Sequence, residues 1–360
     1  MRKYYLDNIR WMTVVLVVIY HVLYMFNGIA TDGVVGPVTT TRWQDGIQYL
    51  LYPWFMVLLF LVSGMCAKYA LEKQSGREFV HRRTQKLLVP STIGLFVFHW
   101  IQGTVNMELS GAFEMIPENI PVFILYPIMA VSGIGVLWFI QMLWIFSVLL
   151  VGVRKLEKGR LAKCAERIPA HPLLLVLLAV PVWLSAQVLN TPVIAVYRFG
   201  IYGLTFFLGY YLFSRERITD TLAKHCWICG IIAAALGVMN VCVYFGLNYA
   251  VAPVVNSLLS VAYAWLSCLA ILGLMKRYGN RTNALSSWMS RKSWGLYIFH
   301  YLPLSVCGLW LSRARVPGLL IYLLSGAAAF IGAWLLYEII SRIPVLQWCV
   351  LGIKKEKQNV

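Results

Sequence analysis

Apolar stretches of about twenty residues recur along the whole chain, separated by short polar segments that carry most of its charge. Ten of them are long enough to cross a hydrocarbon layer ~30 Å thick. They lie at about 11–29, 48–70, 87–104, 134–153, 172–189, 196–213, 225–246, 253–274, 293–311 and 317–340. In lipid every backbone N–H and C=O must be paired within the protein, so these stretches are expected to be helices. The period-two alternation of a membrane barrel is absent. The pattern predicts an all-α, polytopic membrane protein with about ten transmembrane helices. Segment 120–133 is apolar but interrupted by Pro121, Pro127 and Gly133, and reads as a re-entrant or interfacial piece held against protein.

Composition sharpens this picture. The chain has 360 residues, of which 60% are hydrophobic and 12% charged, against roughly 25% charged in ordinary soluble domains. A soluble globular protein and a disordered one are both excluded. The net charge of +17 would suggest nucleic acid if it were spread over a soluble surface, but the charges are sorted. With the N-terminus in the cytoplasm, the inner segments are 1–10, 68–88, 154–171, 214–225, 275–292 and the tail from Arg342, and they hold 27 of the 31 Lys and Arg. Only Arg42, Arg198, Arg313 and Arg315 fall outside them. This is a positive-inside pattern, and an even number of spans returns the C-terminus to the cytoplasm.

The expected organisation is one transmembrane domain over 1–345 and a basic cytoplasmic tail over 346–360, in a multi-pass protein of a bacterial inner or plasma membrane. No nucleic-acid partner is expected. The first span is read as a retained helix, since its apolar run is long and no small-x-small cleavage site follows it. The outer segments 30–47 and 105–133 carry Asp32, Asp45, Glu108, Glu114 and Glu118. Cys226 and Cys229 form a C-x-x-C without a second ligand pair, at the start of a span, and read as packing residues rather than a redox or metal site.

An ionisable side chain deep in a membrane helix is a functional hypothesis by default. Arg10 and His21 are the sharpest pair. Eleven helical steps of about 100° fall only ~20° from three full turns, so the two share a face, with a rise of about 16 Å between them. Arg10 stands at the inner interface and His21 near the midplane. Arginine offers a planar fork of donors suited to phosphate, and a buried neutral histidine suits a general base. That pairing fits an enzyme whose donor is an anionic cytoplasmic carrier. The bland reading makes Arg10 an anchor and His21 a packing residue. Asp7, three residues before Arg10, can pair with it or cap the helix. His300 lies about seven residues into the ninth span and reads either as functional or as packing, while His99, beside Trp100, reads as structural. Arg82 and Arg83 read either as anchors or, standing where a cytoplasmic phosphate would approach, as contacts to it, and Lys86 reads as an anchor. Arg198, on the outer side beside Tyr197 and Tyr202, reads either as a contact to an acceptor or as an interface residue that snorkels to the membrane surface.

These residues resemble the acyltransferase 3 family, integral-membrane O-acyltransferases. Asp7-Asn8-Ile9-Arg10 followed by an apolar run to Tyr20-His21 is similar to the family's Arg-x(10)-His signature. Phe60-Leu61-Val62-Ser63-Gly64 is similar to its Phe-Leu-Ser-Gly segment with one residue inserted. Arg82-Arg83 before Pro90, Leu137-Trp138-Phe139, Phe207-Leu208-Gly209-Tyr210 and Tyr297-Ile298-Phe299-His300 follow in order. The resemblance implies an acyl-CoA donor, acetyl-CoA first among them, used as a co-substrate with no permanently bound cofactor. It implies an acceptor hydroxyl on an extracytoplasmic or lipid-linked glycan. It carries over His21 as base or acyl relay, Arg10, Arg82 and Arg83 toward the donor's phosphates, and Trp138 and His300 as pocket residues. Ser63 is given no fixed role: it reads as an acyl carrier or, more in keeping with a Ser-Gly pair in a membrane helix, as a close-packing pair with Gly64. Larger relatives carry an extracytoplasmic esterase-like domain, so a separate extracytoplasmic acyltransferase protein is a candidate partner. The rival readings are a transporter whose path Arg10 and His21 line, and a membrane scaffold without chemistry.

Overall fold

A computed structural model of the chain describes residues 2–29, 33–117, 119–191, 195–314 and 316–353. Asp32, Glu118, Arg315 and the tail from 354 lie outside the described residues. The described residues form helices and no strand. In chain order these are α1 (Tyr4–Met25), α2 (Trp43–Leu71), α3 (Gly76–Leu109), α4 (Val122–Ser132), α5 (Gly135–Glu157), α6 (Arg160–Arg167), α7 (Pro172–Ala186), α8 (Phe199–Phe213), α9 (Glu216–Tyr244) and α10 (Leu258–Tyr278). Then follow α11 (Ala284–Phe299), α12 (Tyr301–Arg313), α13 (Gly318–Ile340) and α14 (Pro344–Leu351).

The chain is an all-α polytopic membrane protein, and among the described residues fewer than ten helices are each long enough to span alone. Seven helices among the described residues are long and apolar enough to cross a membrane, namely α1, α2, α3, α5, α9, α10 and α13. The pair α11–α12, bent by 52°, makes an eighth. The stretches 172–189 and 196–213 were expected as full spans. Their helices α7 and α8 are only 15 residues long, a rise of about 22 Å. Apolar composition ran past the true helix ends there. Pro181 cannot donate to a preceding carbonyl, and the helix is interrupted at Leu178. On the other side Arg198 leaves helical geometry, so α8 begins only at Phe199.

The chain divides into two compact units. The first comprises Met1–Leu16, Gly46–Val80 and Ile145–Arg291. Within it, backbones meet at paired glycines, as the Ser63-Gly64 reading expected. A Cβ on Gly64 would lie 1.9 Å from the Phe206 carbonyl oxygen, and one on Gly209 would lie 2.0 Å from the Leu61 oxygen. Each glycine therefore admits the other helix's carbonyl, which lets α2 and α8 approach where lipid supplies no hydrophobic drive. Asn8 ties α1 to the end of α10, donating from Nδ2 to the Gly279 and Arg281 carbonyls at 2.8 Å each. Arg215 caps the C-terminus of α6, reaching the carbonyls of Ala165, Glu166 and Ile168. Cys226 and Cys229 are buried in α9. Asp7 pairs with Arg2 at 2.8 Å rather than with Arg10.

The second unit comprises Val17–Asp45, His81–Trp144 and Lys292–Val360. Here α3 and α4 cross by the same device. A Cβ on Gly103 would lie 1.6 Å from the Met129 oxygen, and one on Gly133 would lie 1.9 Å from the His99 oxygen. Segment 120–133 is thus a short helix with one face locked onto α3, while Val122, Phe123 and Val131 stay exposed on the other. The α3 helix widens into π turns at Thr84–Leu88 and Leu95–His99, the first just before Pro90, which has no N–H to give the carbonyl four residues back. The expected boundary between 345 and 346 falls inside α14. That helix ends buried on α3, where its Leu351 carbonyl accepts from Trp294 Nε1 at 3.0 Å and Lys86 Nζ at 3.3 Å.

Replacing Gly64 by Ala is expected to lower the thermal stability of the detergent-purified protein. Overpacking of this kind costs typically about 1–3 kcal/mol, and the obstacle here is backbone, which cannot swing aside. Gly152→Ala, where nothing stands within 4 Å, is the control and should leave the melting temperature unchanged in a parallel fluorescence scan.

Candidate active site

Two histidines meet in the second unit. His21 lies on the last two turns of α1, and His300 is the residue at which α11 ends and α12 begins. Their rings are 5.0 Å apart, with His300 Nε2 at 3.1 Å from His21 Nδ1. His300 is fully buried, while His21 keeps partial exposure.

Backbone carbonyls decide where the protons sit. His300 Nδ1 lies 2.9 Å from the Tyr297 oxygen and 3.0 Å from the Leu296 oxygen. A carbonyl only accepts, so Nδ1 carries the proton and Nε2 of the neutral ring is an acceptor. His21 Nδ1 lies 2.8 Å from the Val17 oxygen, which likewise makes Nδ1 the donor, shared between Val17 and His300 Nε2. The consequence is that His21 Nε2 holds a lone pair, and it bonds to no described residue. Both tautomers are fixed by the helices that carry them.

Aromatic rings wall the pair. Tyr20 and Tyr301 each present an edge to His21 at 5.2 Å between centroids, and Tyr24 lies at 6.4 Å. The two motifs flanking the site are joined directly, since Tyr297 Oη donates to the Val136 carbonyl and its ring lies 5.8 Å from Phe139. Half-buried Trp138 stands edge-on to Phe139 at 6.3 Å. One turn beyond Tyr301, Ser305 begins a polar chain. Gln102 Nε2 donates to Ser305 Oγ at 3.0 Å and to Asn106 Oδ1 at 2.7 Å, and Asn106 Nδ2 donates to the Ser132 carbonyl at 2.8 Å.

The structure therefore brings His21 and His300 into contact, and Trp138 stands beside Phe139, whose ring packs on Tyr297. Arg82, exposed, and Arg83, half-buried, occupy the start of α3 in the same unit. Arg10 and Arg198 belong to the first unit, Arg10 exposed and Arg198 buried. Arg10 makes no ion pair with any described residue. His99 is buried against Phe98 and its Nε2 finds no partner among the described residues. Sequence reasoning missed the polar chain, although Gln102 and Asn106, four apart at the end of an apolar run, were its visible signal. It also treated His300 as a pocket residue rather than the direct partner of His21.

No curated protein and no solved structure matches the chain. The family model described as an acyltransferase domain matches residues 3–338. With that match covering nearly the whole sequence, the chain belongs to the acyltransferase 3 family of membrane acyltransferases.

Proposed function

We propose that this membrane acyltransferase moves an acyl group, acetyl first among the candidates, from cytoplasmic acyl-CoA to a hydroxyl of an extracytoplasmic or lipid-linked glycan. The observation that carries the reading is the lone pair on His21 Nε2, kept there by the Val17 carbonyl and His300. A base with a fixed tautomer and a free acceptor nitrogen is what deprotonation of an acceptor hydroxyl requires. A transporter or scaffold has no need of it, and family membership favours the enzyme.

In this mechanism His21 Nε2 takes the proton of the hydroxyl as its oxygen attacks the thioester carbonyl carbon. A tetrahedral intermediate forms, the C–S bond breaks, and the CoA sulfur leaves with the proton returned from His21 Nε2. While His21 is imidazolium, its Nδ1–H donates to the Val17 carbonyl and to the His300 lone pair, which hold the ring in place and spread its charge. His300 acts through His21 and is a positioning residue. Arg10, about 16 Å earlier on the same helix, and Arg82 and Arg83 at the start of α3 supply cationic forks for the donor's phosphates. Trp138 offers an apolar wall, and a separate extracytoplasmic acyltransferase is needed only if this chain hands its acyl group onward.

His21→Ala is expected to reduce transfer of labelled acetyl from acetyl-CoA to envelope glycan by about 10²–10⁴-fold, with the protein still present in membranes at the wild-type level. Full activity in that variant overturns the assignment. Mass spectrometry of the glycan should show the loss of one acyl increment per acceptor.

His300→Ala should lower kcat with KM for acyl-CoA unchanged, and His300→Gln, whose amide oxygen accepts the same hydrogen bond, should restore part of it. A change in KM alone would count against a positioning role. Arg10→Ala, Arg82→Ala and Arg83→Ala should do the opposite. Each should raise KM for acyl-CoA roughly ten- to hundredfold, the loss of a charged hydrogen bond, and leave kcat close to wild type in a steady-state titration of the donor.

A further inference from the structure

Four arginines stand outside the basic inner segments, and their surroundings differ. Arg42 pairs with Asp45 at 2.9 Å and Arg313 with Glu108 at 2.6 Å, and Arg315 lies outside the described residues. Arg198 is only 4% exposed, yet no described carboxylate pairs with it. Its Nη2 donates to the Val255 carbonyl at 3.1 Å and to Asn256 Oδ1 at 3.0 Å, while its Nε finds no acceptor. The Tyr202 ring lies 5.9 Å from the guanidinium carbon.

The charge is uncompensated across that whole end of the first unit. The unit's carboxylates are Asp7, Glu72, Glu78, Glu157, Glu166, Glu216 and Asp220, and all stand at the helix ends that bear the basic clusters. Arg198 is the unit's only Lys or Arg at the opposite ends. It also lines a cleft with Asn240, Tyr249 and Ser260, closed on the apolar side by Ile201 and Val254. The polar groups there are built in. Ser260 Oγ donates to Asn240 Oδ1 at 2.7 Å, and Asn240 Nδ2 donates to the Tyr49 carbonyl at 3.1 Å. Burying a cation without a counter-charge is strongly unfavourable, and evolved proteins place one where a partner of opposite sign completes the site.

We infer that this cleft binds a singly charged oxyanion, a carboxylate or a phosphodiester, carried by the acceptor. One guanidinium matches one negative charge, and its Nε–H is left without an acceptor among the described residues. The acceptor glycan is therefore acidic, with its anionic group held at Arg198. Calling the ligand an acceptor rests on the acyl-transfer reading, whereas the anion site rests on the first unit alone.

The test is binding without acyl-CoA. The full chain, purified in uncharged detergent, is titrated with glucuronate, dimethyl phosphate and neutral methyl glucoside, and its melting temperature is followed at constant ionic strength. A ligand bound by the native state alone raises that temperature saturably. The expected result is a rise with at least one of the two anions and none with the glucoside. Which anion acts separates a sugar carboxylate from a phosphodiester. In Arg198→Gln the half-saturating concentration should increase about tenfold or more. Asn256→Ala, which loosens the loop contact but keeps the cation, should retain the anion response.

No response to either anion overturns the inference, as does an equal response to the glucoside or an undiminished one in Arg198→Gln. If Arg198→Gln does not fold, Arg198→Lys takes its place. It keeps the charge and loses the fork, and should bind more weakly than wild type but still prefer the anions. A failure here leaves the His21 transfer measurements standing, and a failure of those leaves this binding measurement standing.

Discussion

In a hydrocarbon layer a backbone carbonyl has no water to turn to, and a polar side chain has only the acceptors the protein supplies, the nearest of them on its own helix. Side chains in this protein repeatedly return one turn to a carbonyl, as Ser91 does to Leu87, Thr205 to Ile201 and Ser305 to Tyr301, each at 2.8 Å. The same constraint acts on His21 and His300, with a different consequence. A hydroxyl bonded to the carbonyl one turn back is merely satisfied. An imidazole bonded there is assigned a tautomer, because one nitrogen is committed to donating and the other is left to accept. The helix thus does for His21 what a buried carboxylate does in a soluble triad, without placing a second charge in lipid.

Positioning the two rings requires the chain to break a helix and to bring others unusually close. The 52° bend after Phe299 places His300 at the corner between α11 and α12, and a straight span would point it along a single face. In the same unit, α3 and α4 touch backbone to backbone at Gly103 and Gly133. Burial and donor satisfaction then reinforce each other. Tyr297 packs on Phe139, gives its hydroxyl proton to the Val136 carbonyl, and offers its own carbonyl to His300. A change at any of the three shifts the others.

Much of this was legible in the residue pattern, and the remainder was hidden for physical reasons. The all-α membrane fold followed from apolar run length, which reads the solvent directly. The Arg10–His21 face followed from helical pitch, a local property. Hydropathy cannot register that α7 and α8 stop at 15 residues, because Val188 and Leu189 after α7 and Val196 and Tyr197 before α8 remain apolar while lying outside the helices. Nor can spacing along one helix reveal a contact 279 positions away, which is the separation of His300 from His21. Motif order suggested that both belonged to one pocket, but only tertiary packing says which nitrogen faces which. Gly64 and Gly209 lie between these extremes. Small residues at span centres announce close packing, yet their reciprocal fit onto carbonyls is visible only in three dimensions.

Arg198 shows how charge sorting and local geometry answer different questions. Sorting removed 27 of 31 cations from consideration, since a basic cluster at an inner helix end records orientation. It left four arginines, and among those it had no means of choice. Geometry separates them by what each is paired with. Arg42 and Arg313 have carboxylates of their own and need nothing further to explain them. Arg198 is the most buried of the three described and the least neutralised, held at one end by the loop at Val255 and Asn256 with its Nε unbonded. A clamp for that loop would function with a neutral donor such as Asn or Gln, at far lower desolvation cost. The retention of a full positive charge is therefore what distinguishes a recognition element from a structural tie, and it sets the sign of whatever group completes the cleft.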